Sequence, residues 1–420
     1  QLGMMRHITK WAERIRSPQA APALVSQAIW QATSGRPRPV ALECALDTWA
    51  KRADVTLPDA PLPLPVEALD DEAITAAAKI LGAAERPIIV VGGGALEASA
   101  EVIAIAELLE APVSSYRRGR GVIPSSHRLA VDMPVGHRLW KDADAVLAIG
   151  TRFFIQNGSW GIDGNLKVVR LDIDPDEPDR FRKPDVALVG DAASQLRALI
   201  AALPKHNRAR TSRAGELNGH RAWLTDRLSR LEPQFGFLKA IRAALPEDGI
   251  FVDEVSQMGF ASRVALPIER PRTYLSPGYQ DNLGWGFGTA LGAKAAMPDR
   301  KVLAIAGDGG FMYQVGELAT AARHNLAVVV VVFDNGAFGN VKRIQQQAYG
   351  NRLIASDLQN PDFGKLADSF GIASFKATDP KQLEDALHRA FALNAPALVW
   401  VPHGDVPSPW DLIMMPKVRG

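Results

Sequence analysis

The run LAVVVVVF, residues 326–333, is apolar at eight consecutive positions. It falls far short of the ~18 residues that a membrane-spanning helix needs, and it has the length of a strand. A strand with no polar face must be covered on both sides, which is the condition of a parallel strand buried between layers of helix. Comparable strands read from ERPIIVVGGG, APVSS, DADAVLAIGTRF, NLKVVRLDID, VALVGD, GIFVDE, KVLAIAG and PALVWVPH. They alternate with helical patterns such as EASAEVIAIAELLE and PKQLEDALHRAFAL. That rhythm predicts an α/β chain with parallel, doubly wound sheets.

The rhythm occurs twice, over residues 68–203 and 232–403. The polar stretch 204–231 separates the two, and a Pro-broken arm, 404–420, comes after them. Ahead of them, KRADVTLPDAPLPLPV makes residues 51–67 a Pro-rich linker. Residues 1–50 show one helical pattern, QAAPALVSQAIWQAT, and one strand, VALECAL. One helix and one strand cannot bury their apolar faces alone, so these residues read as the remnant of a third domain. The opening QLGMMRHITKW has no signal-peptide layout and reads as mid-chain sequence, so a fragment is expected.

With 420 residues, 47% hydrophobic, the chain has ample core, and a net charge of +2 gives no pull toward nucleic acid or an acidic membrane. The densest basic run, YRRGRG (116–121), lacks interleaved aromatics and reads as a solvated loop or a small anion contact. The single cysteine, Cys44, excludes an intrachain disulfide and any multi-Cys metal site, and suits a cytoplasmic location. The turn GGGALEA (92–98) invites a dinucleotide reading, but the third glycine of that fingerprint is missing, so a tight strand-to-helix turn competes with it.

Chemistry concentrates in LAIAGDGGFMYQVGELATAARHNLAVVVVVFDNGAFGN. KVLAIA is read as a strand, GDGG as its turn, FMYQVGELATAARH as a helix, and DNGAFG as the turn after the next strand. Asn335 lies 27 residues after Asp308, the length of a strand-helix-strand return. A right-handed crossover then opens both turns at one sheet edge. Asp308 offers an anionic oxygen, Asn335 a neutral one, and Gly336 lets the turn expose a backbone carbonyl, that of Ala337. Such an incomplete octahedron suits Mg²⁺ shared with phosphate oxygens and water. Gly307, Gly309 and Gly310 permit close backbone approach, and the helix after them aims N–H groups at an anion. Either turn alone is ordinary turn chemistry; together they point to Mg²⁺ and a diphosphate.

GDG with a later Asn in DNGAFG resembles the cofactor motif of thiamine-diphosphate (ThDP)-dependent enzymes. GDGGFMYQVGELATAARHNL and NPDFGKLADSFGI (360–372) look particularly like acetolactate synthases among the 2-oxo acid decarboxylases and carboligases. The resemblance implies a ThDP diphosphate-binding domain at 232–403, a Rossmann-like central domain at 68–203, and the end of a pyrimidine-binding domain at 1–50. It implies Mg²⁺ on Asp308, Asn335 and Ala337. Ser256 and Gln257 match diphosphate contacts, where the residues alone would equally suit an ordinary loop. Leu283 matches the wedge beneath the thiazolium ring, where the residue alone reads as a core leucine.

The resemblance also implies an activating glutamate from a pyrimidine-binding domain in a partner subunit. Neither Glu13 nor Glu43 fits its motif, so it is expected outside this sequence, and these residues alone are expected to be inactive. Asn340 and Ile344 stand where acetolactate synthases carry Met and Trp. Ile344 therefore puts acetolactate synthesis in doubt, although a plain core contact is equally consistent. FAD is not expected, because the central domain lacks the loops and glycine run that hold it. The expectation is a cytoplasmic lyase or transferase, a homodimer or homotetramer acting on a small 2-oxo acid, with no nucleic acid or membrane partner. The alternative is a non-catalytic or truncated ThDP-fold protein that binds cofactor without turnover. A phosphohydrolase with Asp308 as nucleophile is weaker, because no second Asp comes soon after it to act as acid.

Overall fold

The computed structural model describes residues 1–65 and 68–420. At the start, β1 (Trp11–Ile15) and β2 (Val40–Cys44) pair in parallel, joined through the helix Ala21–Thr33. The sequence pointed to one strand here and there are two. Glu43 on β2 accepts from Arg14 Nε at 2.7 Å, and Glu13 lies on β1. Arg36 and Arg38 tie this unit to the next: Arg36 donates to Asp174 at 3.2 Å and Glu177 at 2.8 Å, and Arg38 to Asp174 at 2.5 Å.

The first large sheet comprises β3 (Pro87–Val91), β4 (Val113–Ser115), β5 (Ala130–Asp132), β6 (Ala145–Ile149), β7 (Lys167–Asp172) and β8 (Val186–Val189), in the order β5-β4-β3-β6-β7-β8. The second comprises β9 (Ile250–Val252), β10 (Tyr274–Leu275), β11 (Val302–Gly307), β12 (Val328–Asp334), β13 (Ala373–Lys376) and β14 (Ala397–Pro402), in the order β10-β9-β11-β12-β14-β13. All pairings in both are parallel, so the fold is α/β with two doubly wound sheets. Along β12, Val329, Val331 and Phe333 enter one apolar cluster, and Val328, Val330 and Val332 the cluster on the opposite face. Burial on both faces is why Val328–Phe333 carries no polar residue, and Asp334 comes only at the strand's end.

Flanking helices carry their apolar residues at helical spacing: Ile74, Ala77, Ala78 and Leu81 in Asp71–Ala83, and Leu383, Ala386, Leu387 and Ala390 in Pro380–Ala392. Asp70 and Asp379 cap these helices by accepting from the amides of Ala73 and Gln382, each at 2.9 Å, which fixes where they begin.

In the first sheet, strand order reverses between β3 and β6. There the amides of Gly92 and Gly94 donate to Ile149 O and Gly150 O, both at 3.0 Å. A Cβ on Gly94 would stand 2.7 Å from the Gly150 Cα, and one on Gly150 2.4 Å from the Gly94 Cα. GGGALEA is thus a tight turn whose two backbones touch, and those two amides are already spent. The arm after β14 returns to this first unit. Arg419 donates to Trp140 O at 2.7 Å and Asp163 at 2.9 Å, and Val418 N to Trp160 O at 2.9 Å, against the buried Trp140–Trp160 pair.

The basic run YRRGRG departs from its solvated reading. Arg120 is 4% exposed and donates to the carbonyls of Ser262, Arg263 and Leu266. Arg117 ion-pairs with Asp281.

Candidate functional site

In the second sheet the order reverses between β9 and β11, and open α/β sheets hold ligands at the carboxyl edge of such a reversal. Register pairs Gly307 with Phe333, so the chain leaves β11 and β12 side by side. The segment after β9 brings Asp253, Glu254, Ser256 and Gln257 to the same edge.

Asp308 is 2% exposed. Its Oδ2 accepts from the Ala337 amide at 3.2 Å and from Asn360 Nδ2 at 2.7 Å. The same Asn360 amide reaches Asp334 Oδ1 at 2.8 Å, which also accepts from Gly336 N at 3.1 Å. Trp400 Nε1 donates to Asp334 Oδ2 at 3.0 Å. Every one of these donors is neutral. Burial pushes the Asp308 carboxyl up, Asn360 and the Gly309 amide pull it back, and Asp334 adds to the push. Two adjoining acids held by neutral donors leave negative charge that a cation would complete.

Ala337 bridges to Asp357 through bonds from Phe338 N to Ser356 O and Leu358 N to Gly336 O, both 2.8 Å. Neither bond uses the Ala337 carbonyl. The Asn335 amide would stand 3.0 Å from a Cβ on Gly339, and Gln257 Cγ 3.6 Å, so these two side chains converge above that glycine. Gln257 Oε1 is buried without a hydrogen-bond partner. Ser256 caps the helix Gln257–Ala265 by accepting from Gly259 N at 3.0 Å, and its Cβ lies 3.3 Å from the Cβ position of Gly307. On Gly309 a Cβ would meet the Phe338 ring at 2.3 Å, so that turn admits no side chain. Gly310 faces the Glu254 side chain at 3.6 Å.

The helix after β11 differs from its expectation. It begins at Asp308 and ends at Met312, and a second helix spans Glu317–Arg323. Between them Gln314 turns its side chain away to accept from Gly288 N at 2.6 Å. A single turn sums few peptide dipoles, so the local amides, not a long helix, face the edge.

Leu283 is half-buried in the turn before the helix Gly286–Ala296. The next residue, Gly284, has φ +74°, and a Cβ there would lie 2.7 Å from the Tyr313 Cβ. Asn340 Oδ1 accepts from Arg343 Nη2 and from Trp410 Nε1 of the arm, both at 3.0 Å. Ile344 is 40% exposed on the helix Gly339–Ala348, which buries none of its residues. Asp308, Asn335, Ala337, Ser256, Gln257, Gly307, Gly309 and Gly310 therefore meet at one edge, Leu283 lies in the turn whose Gly284 abuts Tyr313, and Ile344 stands outside.

Sequence reasoning missed Asp334, Asn360 and Glu254. Asp334 stands beside Asn335, and Asn360 opens the NPDFG stretch, so both carried a signal. Glu254 carried none except its nearness to Ser256. It is 1% exposed and accepts from Gly286 N at 2.6 Å and Val255 N at 3.2 Å. Burial pushes its pKa up to about 7, against the pull of those amides.

No group of three or more His, Cys, Asp or Glu side chains that could hold a metal occurs among the described residues. A metal at this edge would therefore add amide and backbone oxygens and a ligand's own oxygens to the Asp308 carboxylate.

Both large units match families of known proteins. The family described as "Thiamine pyrophosphate enzyme, C-terminal TPP binding domain" matches residues 254–401, and its "central domain" counterpart matches residues 74–199. A probable acetolactate synthase large subunit of Methanocaldococcus jannaschii is 32% identical over 95% of this chain and 72% of its own length. The probable 2-ketoarginine decarboxylase AruI of Pseudomonas aeruginosa is 31% identical over 96% of this chain and 73% of its own. Acetolactate synthase isozyme 1 large subunit of Escherichia coli is 28% identical over 95% and 73%.

Proposed function

This chain belongs to the thiamine-pyrophosphate enzyme family, among acetolactate synthase-like members, and from that premise we propose a ThDP- and Mg²⁺-dependent decarboxylase or carboligase of a 2-oxo acid. The observation that carries this reading is the convergence of Asp308, Asn335 and the buried, unpartnered Gln257 Oε1 at the β9/β11 reversal. The donor set suits the group. Asp308, Asn335 and the Ala337 carbonyl would hold Mg²⁺; Ser256, Gln257 and the Gly307–Gly310 backbone would hold the diphosphate; Leu283 would support the thiazolium ring.

ThDP bound there supplies a nucleophilic carbon for a carbonyl and an electron sink for loss of CO₂. The residues of this chain anchor and orient. Asn360 keeps Asp308 and Asp334 together, the Ala337 amide fixes the Asp308 carboxylate, and Glu254 ties the start of the helix Gly286–Ala296 to the GDGG turn. The activating carboxylate belongs, on this reading, to a pyrimidine-binding domain, and Glu13 and Glu43 lie on the small β1–β2 sheet. The exposed Tyr313, Val341, Ile344 and Ile354 support an active site completed between at least two subunits. Asn340 and Ile344, beyond the cofactor edge, would border the substrate, and decarboxylation is favoured over acetolactate synthesis because Ile344 stands where acetolactate synthases carry the acceptor-selecting Trp.

Calorimetric titration of ThDP with Mg²⁺ into the full-length protein tests the site, and equal binding by Asp308→Ala would refute it. A panel of 2-oxo acids that includes pyruvate and 2-ketoarginine then assigns the substrate.

A further inference from the structure

We propose that the central-sheet loop Tyr116–Gly121 is a positioning element of the cofactor site, with Arg117 holding the Leu283 loop and Arg120 holding the Ser256-capped helix. The proposal rests on the ThDP reading above, and it assigns a role to a motif that this reading leaves unused.

The loop reaches out of the first sheet after β4 and grips two elements of the second. Arg120 donates to the carbonyls of Ser262, Arg263 and Leu266 at the carboxyl end of the helix Gln257–Ala265. The last carbonyls of a helix run short of intrahelical donors, and a cation there also matches the helix dipole. The other end of the same helix is Ser256 and Gln257. Its position along its axis is therefore set by a residue from the other sheet.

Arg117 meets the loop between β10 and the helix Gly286–Ala296. It ion-pairs with Asp281, whose second partner is Arg263 Nη2 at 3.0 Å. Arg263 Nε donates to Asp253 Oδ2 at 3.0 Å, and Ser276 Oγ donates to the same oxygen at 3.1 Å. Asp281 has φ +46°, a backbone state that an L-residue adopts at a cost and that a specific contact must hold. The loop is thus gripped at Ser276 through Asp253, at Asp281 through Arg117 and Arg263, and at Gly286 through Glu254. Leu283 sits between the last two grips. Arg263 and Asp253 are 2% and 0% exposed, and burial alone would push the Arg263 pKa down, but Asp253 beside it raises it.

The fit of the loop is close throughout. A Cβ on Gly121, at φ +85°, would stand 2.1 Å from Arg270 O, and one on Gly119 2.3 Å from Val91 O. A shift of the first sheet cannot leave the Leu283 loop where it is.

The test uses the full-length protein with ThDP and Mg²⁺, calorimetry for affinity and amide hydrogen exchange over residues 276–286. Arg117→Met and Asp281→Asn should each weaken ThDP binding about tenfold and speed exchange in that segment, and the double variant should be no worse than the weaker single. Arg117→Lys should recover most of the affinity. Ser125→Ala removes contacts with Ile268 in the same domain boundary, at 3.0 and 2.9 Å, away from the loop; it should stay within about twofold of the parent. If Arg117→Met leaves both affinity and exchange unchanged, or if the two single effects multiply, the proposal is wrong. Should Arg117→Met not fold, Asp281→Asn, a third exposed, reads the same contact. Failure of the parent protein to bind ThDP would overturn the functional reading, while exchange over 276–286 would still decide whether Arg117 holds the loop.

Discussion

The two large sheets have the same strand number, the same parallel sense and the same kind of reversal, yet one reversal is sealed and the other is furnished. Between β3 and β6 the turns touch glycine to glycine and the Gly92 and Gly94 amides bond to carbonyls across the seam. Between β9 and β11 the contact is made by side chains and not by glycine on glycine, with Ser256 against Gly307 and Glu254 against Gly310, and the groups there include acids with neutral donors and a buried oxygen with no partner. The architecture supplies a crevice in both cases; the residues of the turn after each strand decide whether it is packed shut or equipped.

The largest expected effect separates the two most sharply. Asp308→Ala should weaken ThDP–Mg²⁺ binding by about a hundredfold or more, measured by calorimetry, because the metal would lose its only charged protein ligand. Glu254→Gln probes the furnished side through pH. Folding raises this group from 4.5 to about 7, so across that window the native state binds more protons than the unfolded one, and stability falls as pH rises. The parent should lose on the order of 3 kcal/mol between the two values, and Glu254→Gln should flatten that slope in urea titrations at several pH values.

Gly150→Ala attacks the sealed seam, where a Cβ would stand 2.4 Å from the Gly94 Cα and φ is +54°. It should cost about 1–3 kcal/mol of stability by urea unfolding, with ThDP affinity of the folded protein retained. Ser256→Ala should cost about 1 kcal/mol as a lost helix cap, together with a modest loss of cofactor affinity. Smallest of all, FAD added to the protein should produce no flavin fluorescence change; saturable quenching would break the contrast between the two reversals.

The strands that sequence reading found and those it missed differ mainly in how long an apolar run they carry; the edge strand β8 was found because VALV supplies one. β3, β6, β11, β12 and β14 are interior and apolar along their length. The missed ones are β1 and the edge strands β5, β10 and β13, and each is short or half-exposed. A short or half-exposed strand can leave no apolar run long enough to be read.

The site divides in a similar way. Asp308, Asn335 and the glycines announce themselves because ligand chemistry restricts the residue types. Glu254 and Arg117 act through geometry set by distant segments, and no local spacing encodes that. Arg117 was legible only as charge in YRRGRG, a pattern that solvent and an interior ion pair satisfy equally well.

The path of the last residues has a mechanical corollary. Having left the second sheet at Pro402, the chain runs back and plugs the first unit: a Cβ on Gly161 would lie 1.8 Å from Arg419 O, and the Arg419 guanidinium reaches the carbonyl of Trp140. The polypeptide therefore forms a fastened loop, anchored in the first unit both by its own strands and by its returning tail. Cutting at residue 404 would spare every strand of the second sheet and yet unplug the tryptophan pair of the first.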